Sequence, residues 1–264
     1  MKLLFIGDIV ARTGRELVTR GLKYVVAAHN LDVVIANGEN AAGGAGITRE
    51  ITDELLHAGV HVVTSGNHIW AKRQALEFID QVPRLLRPAN YPAGAPGSGA
   101  HVWRSPDGVA VGVINVMGRV FMSPVDDPFA VVTQQIARVR DEGAQLIFVD
   151  FHAEATSEKM AMAWHLDGRV TAVIGTHTHV QTADERVLPG GTAYLTDVGM
   201  TGPHDGVIGM ERAGAVARFV TGLPGRFDAA TGDPRLHGVI ITADPATGRA
   251  SAIQRLSLTP EDMQ

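Results

Sequence analysis

The chain contains no cysteine. A disulfide framework and a thiolate metal site are both excluded, so any metal must be held by oxygen and nitrogen. The absence also fits a reducing compartment. Apolar runs are short: none approaches the roughly 18 residues of a membrane span, and in the opening MKLLFIGDIV the run is interrupted by Gly7 and Asp8. That stretch is too short for a secretion signal with a cleavage site, and a cytoplasmic protein is expected. Blocks of like charge are missing as well, and the net charge is −5. Neither a membrane partner nor stable nucleic-acid binding is indicated, although a small phosphate compound could still be held locally. Internal repeats and low-complexity tracts are absent. What remains is an ordinary globular composition, with 264 residues, 45% hydrophobic and 19% charged, long enough for a sizeable core.

Short apolar runs alternate with helical periods. Residues 3–6 read as a strand ending in Gly7-Asp8. Over 15–29, Val18, Leu22, Val25 and Val26 share one helical face. A strand over 32–36 ends in Asn37-Gly38-Glu39-Asn40, and Thr48 is placed to cap a helix running to about residue 57. A strand over 60–64 leads to Gly66-Asn67-His68, followed by a helix over 72–80. This opening argues a layered α/β domain. The Pro/Gly-rich segment 86–99 reads as a loop crossing the surface. Further on come a strand (109–116), a helix started by Asp127-Pro128 and ended at Gly143, and a strand (146–149) ending in Asp150-Phe151-His152. A helix (157–166) places Met160 and Met162, beside Trp164, in its core. Strands over 170–174 and 192–195 end in Gly175-Thr176-His177-Thr178-His179 and Thr196-Asp197; the tail 238–258 reads as strands joined by a turn at 244–248.

Taken together, the strand ends present Asp8, Glu39-Asn40, Asn67-His68, His152, and His177 with His179. In open α/β sheets, ligands sit beyond the carboxyl ends of the strands. Carboxylate, amide and imidazole donors together suit Mn, Fe, Zn or Co. There are too many for one four-coordinate zinc and about the right number for two metals sharing a carboxylate.

The order Asp8, Gly38-Glu39-Asn40, Gly66-Asn67-His68, His152, Gly175-Thr176-His177-Thr178-His179 resembles the calcineurin-like metallophosphoesterase signature. Three departures stand out. The Asp-x-His after the first strand is Asp8-Ile9-Val10, the bridging Asp is Glu39, and Gly-Asn-His-Asp ends in Ile69. These departures, with NGENAAGGAGIT (37–48), SGNHIW (65–70), LRPANYP (86–92), FHAEATSEK (151–159), GTHTHVQTAD (175–184) and LTDVGMTGPHDGVIGM (195–210), resemble the YmdB-like branch over nearly the whole chain. The resemblance implies a single four-layer domain over 1–264, with helices flanking a central β-sheet system. It also implies a phosphodiesterase that hydrolyses 2′,3′-cyclic nucleotides or other small phosphodiesters through hydroxide held by two metal ions. Iron is the first expectation, manganese or zinc the alternatives.

In the expected ligand set Glu39 bridges, Asp8, Asn40 and His179 complete one site, and Asn67, His152 and His177 the other. Asn40 enters by the resemblance. His68 adjoins a ligand, is spare in the count, and is the expected general acid. A phosphomonoesterase or phosphoprotein phosphatase on the same core, and a regulatory RNA-associated protein with secondary hydrolytic activity, stay as alternatives. So do a homo-oligomer and a substrate-contacting role for His204 and Asp205.

Overall fold

The computed structural model describes residues 1–225 and 227–264. The N-terminal apolar run forms β1 (Lys2–Ile6). Gly7 breaks it, and pairing restarts in the two-residue β2 (Asp8–Ile9). α1 (Ala11–His29) begins earlier than its apolar period suggested and ends where Asn30 turns left-handed. β3 (Val33–Asn37) leads to α2 (Arg49–His57), whose Ile51 N–H donates to the capping Thr48 hydroxyl. After β4 (Val62–Thr64), the expected helix over 72–80 contracts to α3 (Ala75–Phe78) and a 3₁₀ turn, Ile79–Gln81. β5 (Ala100–Arg104) and β6 (Ala110–Met117) precede α4 (Pro128–Asp141), which starts at the Asp127 cap as read. β7 (Leu146–His152), α5 (Thr156–Leu166), β8 (Ala172–Thr176), β9 (Arg186–Val187), β10 (Ala193–Leu195) and β11 (Met200–Pro203) follow. The chain closes with α6 (Arg212–Thr221), β12 (Pro234–Asp244) and β13 (Arg249–Leu258).

The strands form two sheets. One has the order β2-β11-β12-β1-β3-β4, with β13 also paired to β12; the other runs β5-β6-β7-β8-β10-β9. Pairing is parallel through β1-β3-β4 and through β6-β7-β8-β10, so the carboxyl ends of those strands lie together in each sheet.

Side chains alternate across a strand, and here both faces are buried. Leu3, Phe5, Val33 and Ile35 meet Val113, Phe148 and Ile174 of the second sheet, with the Phe5 and Phe148 rings 4.8 Å apart. On the other face of the first sheet, Leu4, Ile6 and Val34 meet Leu17, Val18 and Leu22 of α1 and Leu55 of α2. On the other face of the second, Val149 and Phe151 meet Val132 and Ile136 of α4 and Met162 and Leu166 of α5. Two-sided burial is why these strands read as continuous apolar runs rather than alternating ones. Among the described residues no helix is long and apolar enough to cross a membrane.

Two expectations need correction. Segment 86–99 does not simply cross the surface, since Leu86, Arg87 and Asn90 are buried. Arg87 donates to the carbonyls of Pro88, Ala89, Ala95 and Pro96, folding the loop around its own guanidinium. Asn90 pins it to β6 through the Met117 N–H and C=O. In α5, Met162 is fully buried, but Met160 and Trp164 are 36% and 52% exposed. Positions two apart on a helix do not share a face, whereas 160 and 164 do.

Candidate metal centre

The carboxyl ends of both sheets bring the predicted residues together. Asp8 lies in β2, which runs beside β11 with Asp8 opposite Met200. Glu39 and Asn40 follow β3; Asn67 and His68 sit in the turn beyond β4; His152 is the last residue of β7; His177 and His179 leave β8. Asp8, Glu39, Asn40 and His152 are all 1% exposed or less.

Around His152, acceptor atoms crowd one nitrogen. The register of β7 on β8 puts His152 opposite Thr176. The Thr176 hydroxyl donates to Asp150 Oδ1 at 2.7 Å, so it accepts from His152 Nδ1 at 2.9 Å. Nε2 of His152 then faces Asn67 Oδ1 at 2.8 Å, His177 Nδ1 at 3.1 Å and Glu39 Oε1 at 3.3 Å. His177 Nε2 lies 3.1 Å from Glu154 Oε2, which leaves its Nδ1 as the bare nitrogen. Glu39, His152 and His177 thus offer three ligand atoms within 4.8 Å of one another. Such a convergence of lone pairs requires positive charge. A proton on His152 is one answer: burial disfavours it, but Glu39 and Asp8 prevail and lift the pKa to about 9. A divalent cation is the other, and metal uptake would displace that proton. His177 is pushed down to about 3 by burial and by His152, so its imidazole is neutral near pH 7.

The second half of the cluster follows the same logic. His179 Nδ1 donates to the Ile208 carbonyl at 2.9 Å, and its bare Nε2 faces Asp8 Oδ1 at 3.9 Å. Asp8 Oδ1 is buried without a hydrogen-bond partner among the described residues. An orphaned carboxylate oxygen costs stability unless a cation takes it; burial raises the Asp8 pKa, against the pull of His179 and His152. Burial would raise Glu39 too, but the imidazoles of His152 and His68 hold it well below the usual carboxylate range. Asn40 differs from the expectation in one respect. Its amide nitrogen, not its oxygen, faces Glu39 Oε1 (3.2 Å) and His179 Nε2 (3.1 Å), while Oδ1 accepts from His68 Nδ1 at 2.8 Å. A half-turn of the amide exchanges the two atoms in place.

Several supporting residues were not singled out from sequence. Asp150, two positions before His152 and therefore on the same strand face, accepts from Thr176, Thr64 and Asn37. Its carboxylate links the two sheets beneath the cluster, and burial raises its pKa to about 7. Asp197, buried against Lys159 at 2.8 Å, accepts from both the N–H and the hydroxyl of Thr178. Thr178 sits between His177 (φ 103) and His179 (φ 66), two non-glycine residues in the left-handed region. Strain of about 1–3 kcal/mol each is sustained where surrounding bonds over-determine the backbone. Gly66 is required by space, because a Cβ there would run into the His152 ring and Glu39.

His204 and Asp205 do not join the cluster. Asp205 pairs with Arg212 at 3.3 Å. His204 packs against His237 with the rings tilted, centroids 4.4 Å apart, in a cavity of about 370 Å³ also lined by His179 and Ile208. Burial, with His204 and Arg235 against Asp233, pushes His237 down from 6.5 to about 4. The unfolded chain therefore takes up a proton that the folded chain refuses across that window. The stability held by neutral His237 is complete above about pH 6.5 and is lost as pH falls toward about 4, roughly 3 kcal/mol in all. Urea melts across this range should show wild type losing stability faster than His237→Gln; parallel profiles would refute the assignment.

A family model described as YmdB-like protein matches residues 4–256. A Bacillus subtilis (strain 168) protein named 2′,3′-cyclic-nucleotide 2′-phosphodiesterase is 48% identical over 263 residues, covering 100% of this chain and 99% of its own. A solved structure from Thermus thermophilus, described as a hypothetical protein, superposes with a TM-score of 0.90 at 43% identity, over 98% of this chain and 99% of its own. One from Mycoplasma pneumoniae, described as a novel phosphatase, gives 0.91 at 32% identity, over 98% and 93%. With a family match over nearly its full length and a relative of such identity end to end, the chain belongs to the YmdB-like family.

Proposed function

We propose that the chain is a metal-dependent phosphodiesterase that opens 2′,3′-cyclic nucleotides, built as one four-layer calcineurin-like domain over 1–264. The observation that carries this is the convergence of bare nitrogens and carboxylate oxygens, each imidazole tied at its other nitrogen to an acceptor. Glu39 would bridge two ions, with Asp8, Asn40 and His179 on one and Asn67, His152 and His177 on the other. A mixed oxygen and imidazole set suits iron first, with manganese or zinc as alternatives. When bound, such a pair supplies a nucleophile at neutral pH and neutralises charge growing on the phosphoryl oxygens.

The chain's own contribution is placement of a proton. Opening the ring at O2′ forms a new P–O bond to a water oxygen, breaks P–O2′, and requires a proton on O2′. His68 lines the cleft over the cluster, and its side chain is 43% exposed. Its hydrogen bond with Glu39 raises its pKa, so the acid form is available near neutral pH. In the acid form both His68 nitrogens carry protons: Nδ1–H is donated to Asn40 Oδ1 at 2.8 Å and faces Glu39 Oε1 at 3.4 Å, which leaves the Nε2 proton as the one to be given to O2′.

The expected result is two metals per chain by elemental analysis, and a higher kcat/KM on a 2′,3′-cyclic nucleotide than on a phosphomonoester. A preference for the monoester would overturn the substrate reading in favour of a phosphatase.

A further inference from the structure

The cleft above the cluster is larger than a phosphate group needs. Its volume is about 530 Å³, within the range of pockets that enclose a small organic ligand. The lining divides by chemistry. His68, Glu154 and Asn40 supply polar groups, whereas Ile208, Met210 and Phe227 supply an apolar wall. Ile208 is 52% exposed and holds φ at 46°. That conformation is a genuine outlier for a β-branched residue, and its carbonyl is the acceptor that orients His179. Phe227 belongs to none of the apolar clusters among the described residues. The Arg218 guanidinium lies over its ring at 5.5 Å from the centroid, and the ring lines the cleft.

A phosphodiester carrying no base would use none of this wall. A nucleobase would use all of it, since its flat π-face stacks on an aromatic side chain whatever the base. We propose that Phe227, flanked by Ile208 and Met210, is the nucleobase subsite of the cleft, an assignment that rests on the phosphodiesterase reading above. Its ligand class is a nucleoside phosphate, held with the phosphate on the metal cluster and the base against the ring. Arg218 at the same ring would add to the stacking.

The test compares two substrates in two proteins, adenosine 2′,3′-cyclic phosphate and the base-less methyl riboside 2′,3′-cyclic phosphate. Phe227→Ala should raise KM for the nucleotide by about 10- to 100-fold, from stacking worth about 1–3 kcal/mol. Because the base stacks equally in ground and transition states, kcat should change little. The loss on the nucleotide should exceed that on the base-less compound at least about tenfold, and Phe227→Trp should restore it. Equal losses on both substrates, or no change on either, would overturn the subsite. If wild type turned over neither compound, the phosphodiesterase reading would fail on its own account. Calorimetric titration of adenosine 3′-phosphate would then decide the subsite: weaker binding to Phe227→Ala supports it, and equal or undetectable binding in both proteins rejects it.

Discussion

Replacing Glu39 with glutamine is expected to deplete both metals together and to lower turnover about a thousandfold or more. The carboxylate is 1% exposed and reaches His152 Nε2 at 3.3 Å through Oε1, while Oε2 accepts from the His68 N–H at 3.0 Å. Only Asp8 and Glu39 bring carboxylates into the proposed ligand set, so the substitution removes half its negative charge while keeping its shape. Charge stabilisation by the ions is worth several kcal/mol in the transition state, and about 4 kcal/mol corresponds to the stated factor. Elemental analysis separates the outcomes. Two metals retained per chain would show that Glu39 is no bridge; loss of one alone would make it a ligand to a single ion. Melts of both proteins in chelator distinguish metal loss from unfolding.

Removing the His68 imidazole should cost about 10²–10⁴-fold in turnover of a cyclic nucleotide with metal content intact. Its main-chain N–H still reaches Glu39 in the alanine variant, so that contact on the carboxylate is spared. The distinguishing readout is the leaving group. A p-nitrophenyl diester expels an anion that needs little protonation, so the loss should shrink sharply there. Equal losses on good and poor leaving groups, with metals present, would make His68 a positioning residue rather than the acid.

What could be read from sequence was what lies within one strand and the turn after it. Asp8, Glu39, Asn67, His152, His177 and His179 each follow or end an apolar run, and glycine marks four of those turns. Interactions set by register were not legible. Nothing in sequence says that His152 faces Thr176, or that Asn37 and Thr64 lie opposite each other and both donate to Asp150. Asp197 marked a strand end but carried no sign that it would clamp Thr178 from nineteen residues away. β2 and β9, two residues each, are too short to show any period. β5 was missed because it emerges from the Gly-rich loop, and α6 because it buries only Ala215 among the described residues. The direction of the Asn40 amide depends on its neighbours in space, and residue order does not encode it.

The place of β12 bears on how the protein is made. β1 pairs with β3 on one side and with β12 on the other, and β12 spans Pro234–Asp244. During synthesis, β1, β3 and β4 can associate early, yet the free edge of Leu3–Ile6 waits for nearly the whole chain to emerge. An open apolar edge is a template for wrong partners, so the interval before residue 244 is when the nascent protein is most exposed to aggregation. Asp8 shares that delay, because β2 is held by β11, which is itself held by β12. All the proposed ligands precede residue 180, but a ribosome stalled there would present a site whose first-made carboxylate is not yet anchored. The final hairpin therefore sets the earliest moment at which the Asp8 carboxylate is fixed in place beside His179.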